Sequence, residues 1–271
     1  MLIRIIAAVL LLPLLLGVVL FLPKIYTAVL FGLMSAIAVY ELLHNTGLVK
    51  HNRFVVYGIV MAMFVAIWSN IWTVYPLSLL GMLTFFCILF GELLISHKEV
   101  NIRDLAVSLL AGAIIPYMLC AIVRIQSLAT GRYLILLPFV IAFLSDTGAY
   151  FTGKFLGKHK LAPVVSPKKT VEGVVGGVLG AVIGVICYCY ILQQHYGFQI
   201  NWPCAPLYAI AGSLGAVFGD LSFSVIKRQT GIKDYGNLIS GHGGILDRFD
   251  SMIVVAPLME LLLLLIPMVV K

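Results

Sequence analysis

Long apolar runs, separated by short polar segments, dominate the whole chain. A transmembrane helix needs about 20 predominantly apolar residues to cross the hydrocarbon core of a bilayer. Nine stretches approach that length, and they cover residues 5–22, 25–43, 54–74, 76–96, 105–125, 133–151, 171–193, 203–226 and 245–270. The first follows Arg4 and lacks the small-residue cleavage site of a secretion signal, so we expect it to be retained. The pattern predicts an all-α polytopic membrane protein of about nine transmembrane helices.

The composition strengthens this interpretation. Of the 271 residues, 62% are hydrophobic and only 11% are charged, whereas a soluble domain carries about 25% charged residues. Because no polar segment is long enough for a separate soluble domain, residues 1–271 are predicted to form a single integral membrane domain. The five cysteines lie in or beside apolar runs without the spacing of a metal site, so they are expected to be packing residues.

The basic residues predict which side of the membrane each loop faces. With the N-terminus in the cytoplasm, fourteen of the 18 lysines and arginines fall on the cytoplasmic side. Those fourteen are Arg4, Lys50, Arg53, Lys98, Arg103, Lys154, Lys158, Lys160, Lys168, Lys169, Lys227, Arg228, Lys233 and Arg248. Since lysine and arginine accumulate in short cytoplasmic loops, the bias predicts a cytoplasmic N-terminus and a C-terminus on the opposite side.

Two of the predicted cytoplasmic loops are rich in glycine as well as in basic residues. They read "TGKFLGKHKLAPVVSPKKTVEG", between the sixth and seventh spans, and "KRQTGIKDYGNLISGHGG", between the eighth and ninth. The lysines alone could simply follow the positive-inside rule. The added glycines favour a further role, because glycine allows backbone conformations that direct several N–H groups at one anion.

Four aspartates lie where charge is costly. Asp146 and Asp220 fall inside apolar spans, and Asp247 and Asp250 open the last span. An aspartate in the middle of a membrane helix costs about 2.5–3.5 kcal/mol on insertion scales, so each should face a partner, a polar cavity or a metal. Asp247 and Asp250 are three residues apart and share a helix face, with Arg248 turned away from it. We therefore expect these carboxylates to converge near the cytoplasmic boundary of the hydrocarbon.

Two structural roles compete with a functional one. Asp220 could form an ion pair with Arg248 or Lys227 that only holds helices together, and Asp250 could complement the positive N-terminal end of its helix. Taken together, however, carboxylates beside lysines and glycine-rich turns suit a phosphate substrate. Carboxylates bind Mg²⁺, which bridges phosphates, while lysines and backbone N–H groups hold the remaining phosphate charge. The residues favour Mg²⁺-dependent phosphoryl or nucleotidyl transfer on a lipid, without naming the nucleotide.

The two basic loops and their flanking helices resemble a known family. The segment "SVIKRQTGIKDYGNLISGHGGILDRFDS", residues 224–251, is similar to the signature of phosphatidate cytidylyltransferases, also called CDP-diacylglycerol synthases. The segment "SDTGAYFTGKFLGKHKLAPVVSPKKTVEG", residues 145–173, resembles that family's second shared block. One departure is Ser240, where the family often has proline.

The resemblance implies a reaction, its site and its partners. CTP and phosphatidic acid would give CDP-diacylglycerol and pyrophosphate, with Mg²⁺ and with K⁺ as a second candidate cation. Residues 131–271 would supply the catalytic helices and cytoplasmic loops, and residues 1–130 the packing, dimer and lipid surfaces. A homodimer in the bacterial inner membrane is expected, with its active site facing the cytoplasm and no nucleic-acid partner.

Specific residues carry these expectations. The predicted catalytic residues are Asp220, Asp247, Lys168, Lys169 and Arg248. The predicted substrate-binding residues are Ser166, Lys227, Arg228, Lys233, His242, Gly243 and Gly244. The predicted metal ligands are Asp220 and Asp247, with Asp146 and Asp250 as further candidates.

Several roles stay open at this point. Asp146 could bind metal directly or orient a lysine, and His242 could act as a base, order its turn or contact a phosphate. Lys233 and Asp234 could pair with each other and only stabilise their loop. Glu41 and Glu92 lie in a first half that carries no motif, so packing is the favoured role there.

Three other functions compete with the proposed transfer. An ion-coupled transporter would also carry intramembrane carboxylates, but transporters tend to repeat their interrupted helices in two halves, and here the acids concentrate in the C-terminal half. A CDP-alcohol phosphotransferase would show a D-G-x-x-A-R block, which this sequence lacks. An enzyme that uses CTP on another lipid phosphate stays open.

Overall fold

Helices make up most of the structure, a computed structural model that describes residues 13–71, 74–238 and 243–270. Within those ranges we number the helices α1 to α9. They are α1 (13–21), α2 (Lys24–Asn45), α3 (Asn52–Asn70), α4 (Tyr75–Ile95), α5 (Ile102–Gln126), α6 (Gly131–Phe155), α7 (Val171–Tyr196), α8 (Cys204–Gln229) and α9 (Leu246–Leu265). The helical polytopic membrane architecture agrees with the prediction from the sequence.

The predicted count of nine spans is not confirmed. Among the described residues, seven helices, α2 to α8, are long and apolar enough to cross a membrane. The first predicted span lies partly outside the described residues. Helix α9 has 20 residues, but every 18-residue window in it includes Arg248, Asp250 and Glu260, which makes it more polar than the other seven.

Short strands occur in two of the predicted loops and, at residues 269–270, at the end of the predicted ninth span. Strands β1 (Lys160–Ala162) and β2 (Ser166–Thr170) form an antiparallel hairpin between α6 and α7, with Lys160 opposite Thr170 and Ala162 opposite Ser166. Strands β3 (Gln199–Ile200) and β4 (Val269–Val270) form a second antiparallel pair.

Contacts between residues divide the chain into two compact units. The first unit contains Met1–Ser127 together with Gln229–Phe249, and the second contains Leu128–Arg228 together with Asp250–Lys271. The segment between α8 and α9, which carries most of the signature, therefore packs with the N-terminal helices.

In the first unit, glycines allow α2, α3 and α5 to approach closely. A Cβ atom at Gly58 would lie 2.8 Å from the Val39 side chain, and one at Gly112 would lie 2.8 Å from the Gly58 Cα atom. Helix α5 contains a π-helical turn, Leu110–Ile114, which includes Gly112 at this crossing. Small residues let transmembrane helices gain dispersion energy through close backbone contact, because lipid removes the usual hydrophobic drive between helices.

In the second unit, α6 and α7 pack antiparallel along a glycine-lined face. Side chains added at Gly176, Gly180 and Gly184 would overlap Thr152 and Leu144 of α6. These glycines recur every four residues, so they lie on one face of α7. The close packing fixes the two ends of the β1–β2 hairpin, which carries the basic block of the second shared segment.

Candidate functional site

Asp247 holds the turn that leads into α9. Its Oδ2 atom accepts hydrogen bonds from the backbone N–H groups of Tyr235, at 2.7 Å, and Gly244, at 2.9 Å, and the residue is 8% exposed. Gly243 has a φ of 83°, and a Cβ atom there would lie 2.8 Å from Asp247 Oδ2. Glycine is therefore required at residue 243 both for the backbone conformation and for the close approach of the carboxylate.

Glu41, at the end of α2, contacts the same turn. Its Oε1 atom accepts a hydrogen bond from Ile245 N–H at 3.0 Å, and its Oε2 atom accepts one from Leu246 N–H at 2.8 Å. The side chain is almost completely buried, at 2% exposure. From the sequence, Glu41 was expected only to pack, because it lies 205 positions from Leu246 and in no recognisable motif.

Two more N-terminal residues support the signature segment. The Asn45 side chain donates a hydrogen bond at 2.7 Å to the carbonyl oxygen of Tyr235, which is 1% exposed. Phe31 packs edge-to-face against Phe249, with 6.4 Å between the ring centroids. An unusually placed polar pair, Glu41 and Asn45, on an otherwise apolar helix is the one sequence signal that could have indicated these contacts.

In the second unit, Asp220 of α8 forms an ion pair with Lys169 of β2. The Lys169 Nζ atom lies 2.5 Å from Asp220 Oδ2, and the two side chains are 24% and 31% exposed. Ser224, one turn along α8, donates a hydrogen bond from Oγ to Asp220 Oδ1 at 3.1 Å. The ion-pair partner of Asp220 is therefore a lysine from the hairpin, which differs from both partners considered from the sequence.

Other charged residues of the second unit lie near this pair. Asp250, at 8% exposure, is within electrostatic range of Asp220, Asp146 and Lys227, and Lys227 is itself 9% exposed. The Asp250 carboxylate accepts a 2.7 Å hydrogen bond from Ser251 N–H. Carboxylates from α6, α8 and α9 and a buried lysine thus lie in one region of this unit.

The β1–β2 hairpin determines how its lysines face. Successive residues of a strand point to opposite sides, and accordingly Lys169 is half-buried against Asp220 whereas Lys168 is exposed. Thr170 ends the strand and caps α7, since its Oγ1 atom accepts a 3.1 Å hydrogen bond from Gly173 N–H. The predicted substrate residue Ser166 begins β2 and is half-buried.

Three more predicted cationic residues are exposed. Arg228 donates from Nε to the Val165 carbonyl oxygen at 3.3 Å, at the hairpin. Lys233 and Arg248 are also exposed and belong to the first unit. Gly244 is buried against Glu41, while His242, which was predicted to bind substrate, lies outside the described residues.

The acidic residues are suited to a cation whose ligands come mainly from a bound phosphate substrate and from water. Among the described residues, no group of three or more His, Cys, Asp or Glu side chains is placed to hold a metal ion. Mg²⁺, however, is usually held by one or two carboxylates, with waters and substrate phosphates completing its octahedral shell. Asp220, in the second unit, and Asp247, in the first, are each carboxylates of the kind that can make such a limited contribution, and Lys169, Lys227 and Arg228 of the second unit can balance phosphate charge.

Comparison with known proteins also indicates a cytidylyltransferase. The sequence profile of the cytidylyltransferase family matches residues 2–266. A phosphatidate cytidylyltransferase of Staphylococcus epidermidis is 36% identical over 190 residues, covering 69% of this chain and 70% of the relative. A phosphatidate cytidylyltransferase of Staphylococcus aureus is 40% identical over 139 residues, which is 51% of this chain. One of Staphylococcus haemolyticus is 42% identical over 134 residues, which is 49% of this chain. In those two comparisons the matched part of the chain spans about half the length of the relative, at 52% and 50%.

The profile match extends over both units, and it includes the carboxylates and lysines described above. The chain therefore belongs to the cytidylyltransferase family.

Proposed function

We propose that the protein transfers a cytidylyl group from CTP to phosphatidic acid, giving CDP-diacylglycerol and pyrophosphate for glycerophospholipid biosynthesis. The observation that supports this most directly is the Lys169–Asp220 ion pair, because it brings a lysine of the segment 145–173 to the aspartate that lies four residues before the signature segment 224–251. Membership of the cytidylyltransferase family and the names of the staphylococcal relatives support the same substrates.

The chemistry requires positioning more than a strong base. A phosphate oxygen of phosphatidic acid forms a bond to the α-phosphorus of CTP, and the bond from that phosphorus to the β-phosphate bridging oxygen breaks to release pyrophosphate. The second pKa of a phosphomonoester is about 6, so the attacking oxygen is already deprotonated near neutral pH. Catalysis then depends on alignment and on stabilising charge.

Each charged residue has a proposed part in this scheme. Asp220 and Asp247 are the proposed Mg²⁺ ligands, and Asp146 and Asp250 are further candidates. When bound, Mg²⁺ supplies charge neutralisation on the triphosphate and the leaving group. The proposed phosphate-binding residues are Ser166, Lys168, Lys169, Lys227, Arg228, Lys233, His242, Gly243, Gly244 and Arg248. K⁺ is proposed as an accompanying cation.

We also propose an orientation and an assembly. The excess of lysine and arginine in alternate loops supports a cytoplasmic N-terminus, which makes the side that carries the signature loops cytoplasmic. In a bacterial cell this corresponds to the inner membrane, where soluble CTP reaches a lipid phosphate. A homodimer is proposed from the family resemblance alone.

The decisive experiment is a transfer assay with the purified protein in detergent. Phosphatidic acid and Mg²⁺ are incubated with each of the four nucleoside triphosphates, and labelled lipid product is measured. We expect product with CTP and phosphatidic acid. Product formation without any ion gradient argues against a transporter, and a preference for a polyprenyl phosphate over phosphatidic acid would replace the proposed lipid substrate.

Asp220→Asn provides the matching variant test. It keeps the side-chain shape but removes the negative charge that pairs with Lys169, so we expect most of the transfer activity to be lost. Asp104→Asn is the control, because Asp104 is a buried carboxylate that accepts a 3.0 Å hydrogen bond from Asn101 N–H at the start of α5. Equal rates for the two variants would remove Asp220 from the proposed site.

A further inference from the structure

Glu41 is a buried carboxylate in a helix that carries no recognisable motif. It lies in the π-helical turn Glu41–Asn45 that ends α2, and only 2% of the residue is exposed. Burying a carboxylate is costly unless hydrogen bonds satisfy it. Its two oxygen atoms each accept a backbone N–H, from Ile245 and from Leu246. These two hydrogen bonds therefore stabilise the buried carboxylate and join the end of α2 to residues 245 and 246.

Glu41 binds the backbone at the beginning of α9. The first N–H groups of an α-helix have no partner inside the helix, and the helix dipole favours a negative group near them. Leu246 is the first residue of α9, and Ile245 precedes it. Glu41 therefore caps α9 from a helix that is distant in sequence.

The same short turn also holds Asp247. Gly244 N–H, the amide before Ile245, donates to Asp247 Oδ2, which also accepts from Tyr235 N–H. Consecutive amides at 244, 245 and 246 are thus divided between two carboxylates. A shift of this turn away from Glu41 would also move the donor that orients Asp247.

The glycines of the signature make room for Glu41. A Cβ atom at Gly236 would lie 2.5 Å from Glu41 Oε1, and one at Gly244 would overlap the whole carboxyl group. Asn45, one turn after Glu41 on the same helix, donates to the Tyr235 carbonyl oxygen. The signature segment is therefore shaped around the end of α2 at two separate glycines and through a separate side-chain hydrogen bond.

We propose that Glu41 is a positioning residue for the cytidylyl transfer: it fixes the start of α9 so that Asp247 keeps the orientation its function needs. The proposal rests on the function proposed above, but the contacts that support it lie entirely within the first unit. It assigns a role in the reaction to the N-terminal helices.

The first test measures the coupling without substrate or metal. Hydrogen–deuterium exchange, resolved to single amides, is followed in the wild-type protein and in Glu41→Gln. Ile245 and Leu246 donate to different oxygens of Glu41, and glutamine replaces one of those oxygens by an NH₂ group and removes the charge, so we expect one or both of these amides to exchange about 10-fold faster or more. The specific expectation is that Gly244 and Tyr235, whose acceptor is Asp247, also exchange faster.

Glu92→Gln is the matched control. Glu92 is another poorly exposed carboxylate of the N-terminal helices, at 17% side-chain exposure, and it binds Arg53 at 3.2 Å and the Tyr57 hydroxyl at 2.7 Å. We expect this variant to leave exchange at residues 235 and 244–246 at the wild-type rate.

The second test measures transfer as a function of Mg²⁺ concentration. Residues that orient a metal ligand typically contribute about 10- to 100-fold in affinity or activity, so Glu41→Gln should raise the Mg²⁺ concentration for half-maximal rate by about that factor. Excess Mg²⁺ should then recover part of the rate. A general loss of folded protein would instead lower the rate equally at every Mg²⁺ concentration.

The outcomes separate this inference from the proposed function. If wild-type protein makes no product, the proposed function fails, while faster exchange at Gly244 and Tyr235 still supports the positioning contact. If wild-type protein is active and Glu41→Gln matches Glu92→Gln in both tests, the positioning role is overturned. Should Glu41→Gln not fold, Glu41→Asp replaces it, because it keeps the charge but withdraws the carboxylate by one methylene. If Glu41→Asp shows the same amide exchange rates and the same Mg²⁺ dependence as the wild-type protein, the proposal is also overturned.

Discussion

Asp247 allows two contributions of one carboxylate to be measured separately. Its Oδ2 atom accepts two buried backbone N–H groups, which stabilises the turn before α9. Its negative charge is proposed to bind Mg²⁺. Asp247→Asn removes the charge but keeps an oxygen atom that can accept both N–H groups, whereas Asp247→Ala removes the acceptor as well.

The hydrogen bonds set the expected effect on stability. A bond to a charged group contributes about 1.5–3 kcal/mol, so Asp247→Ala should lower the free energy of unfolding by about 3–6 kcal/mol. Neutral bonds contribute about 0.5–1.5 kcal/mol each, so Asp247→Asn should retain part of this and lose about 2–3 kcal/mol. The expected order of stability is therefore wild type, then Asn, then Ala.

The effect on transfer should not follow that order. Charge stabilisation by a bound metal contributes several kcal/mol to a reaction barrier, so both variants should lose at least about 100-fold in rate. Unfolding free energies are measured by denaturant titration in detergent, and rates by incorporation of labelled CTP into lipid under conditions where each variant stays folded.

Two results would refute this reasoning. A near-wild-type rate for Asp247→Asn would show that the negative charge is not needed, and the metal-ligand proposal would then be withdrawn. If Asp247→Ala were as stable as Asp247→Asn, the two N–H bonds would not be what stabilises the turn.

Two further predictions concern the β1–β2 hairpin. Lys169→Ala should lower the rate of transfer more strongly than Lys168→Ala, because only Lys169 pairs with Asp220. Lys168→Ala should chiefly raise KM. Steady-state kinetics of the two variants are compared directly, and identical kinetics would contradict the different orientation of the two lysines. Thr170→Ala should lower the free energy of unfolding by about 1 kcal/mol, because the N-cap hydrogen bond from Gly173 N–H is lost. Thr170→Ser, which keeps the hydroxyl group, is the control. An equal loss of stability in both variants would assign the effect to the methyl group of the threonine.

Much of the architecture could be predicted from the sequence because the relevant property is local. Twenty consecutive apolar residues require a membrane whatever the rest of the chain does, and seven of the nine predicted spans meet the criteria of length and composition in the described residues. Of the other two, the first lies partly outside the described residues, and Leu246–Leu265 is a continuous helix in which Arg248, Asp250 and Glu260 exceed the allowed number of charged residues. The signature segments were recognisable for the same reason, since their residues are close together in the sequence.

Partners that are distant in the sequence could be known only from the tertiary structure. Lys168 and Lys169 are adjacent and chemically identical, and only the pairing of β1 with β2 directs one of them to Asp220. Glu41 has no local motif, yet it caps a helix that begins 205 residues later.

The physical reason is the same in both cases. Hydrophobicity and helix length are sums over neighbouring residues, so the sequence by itself determined that the chain enters a membrane and roughly where. A hydrogen bond or an ion pair depends on two groups meeting within about 3–4 Å, and in this protein the packing of helices and the turn of a hairpin decided which groups met.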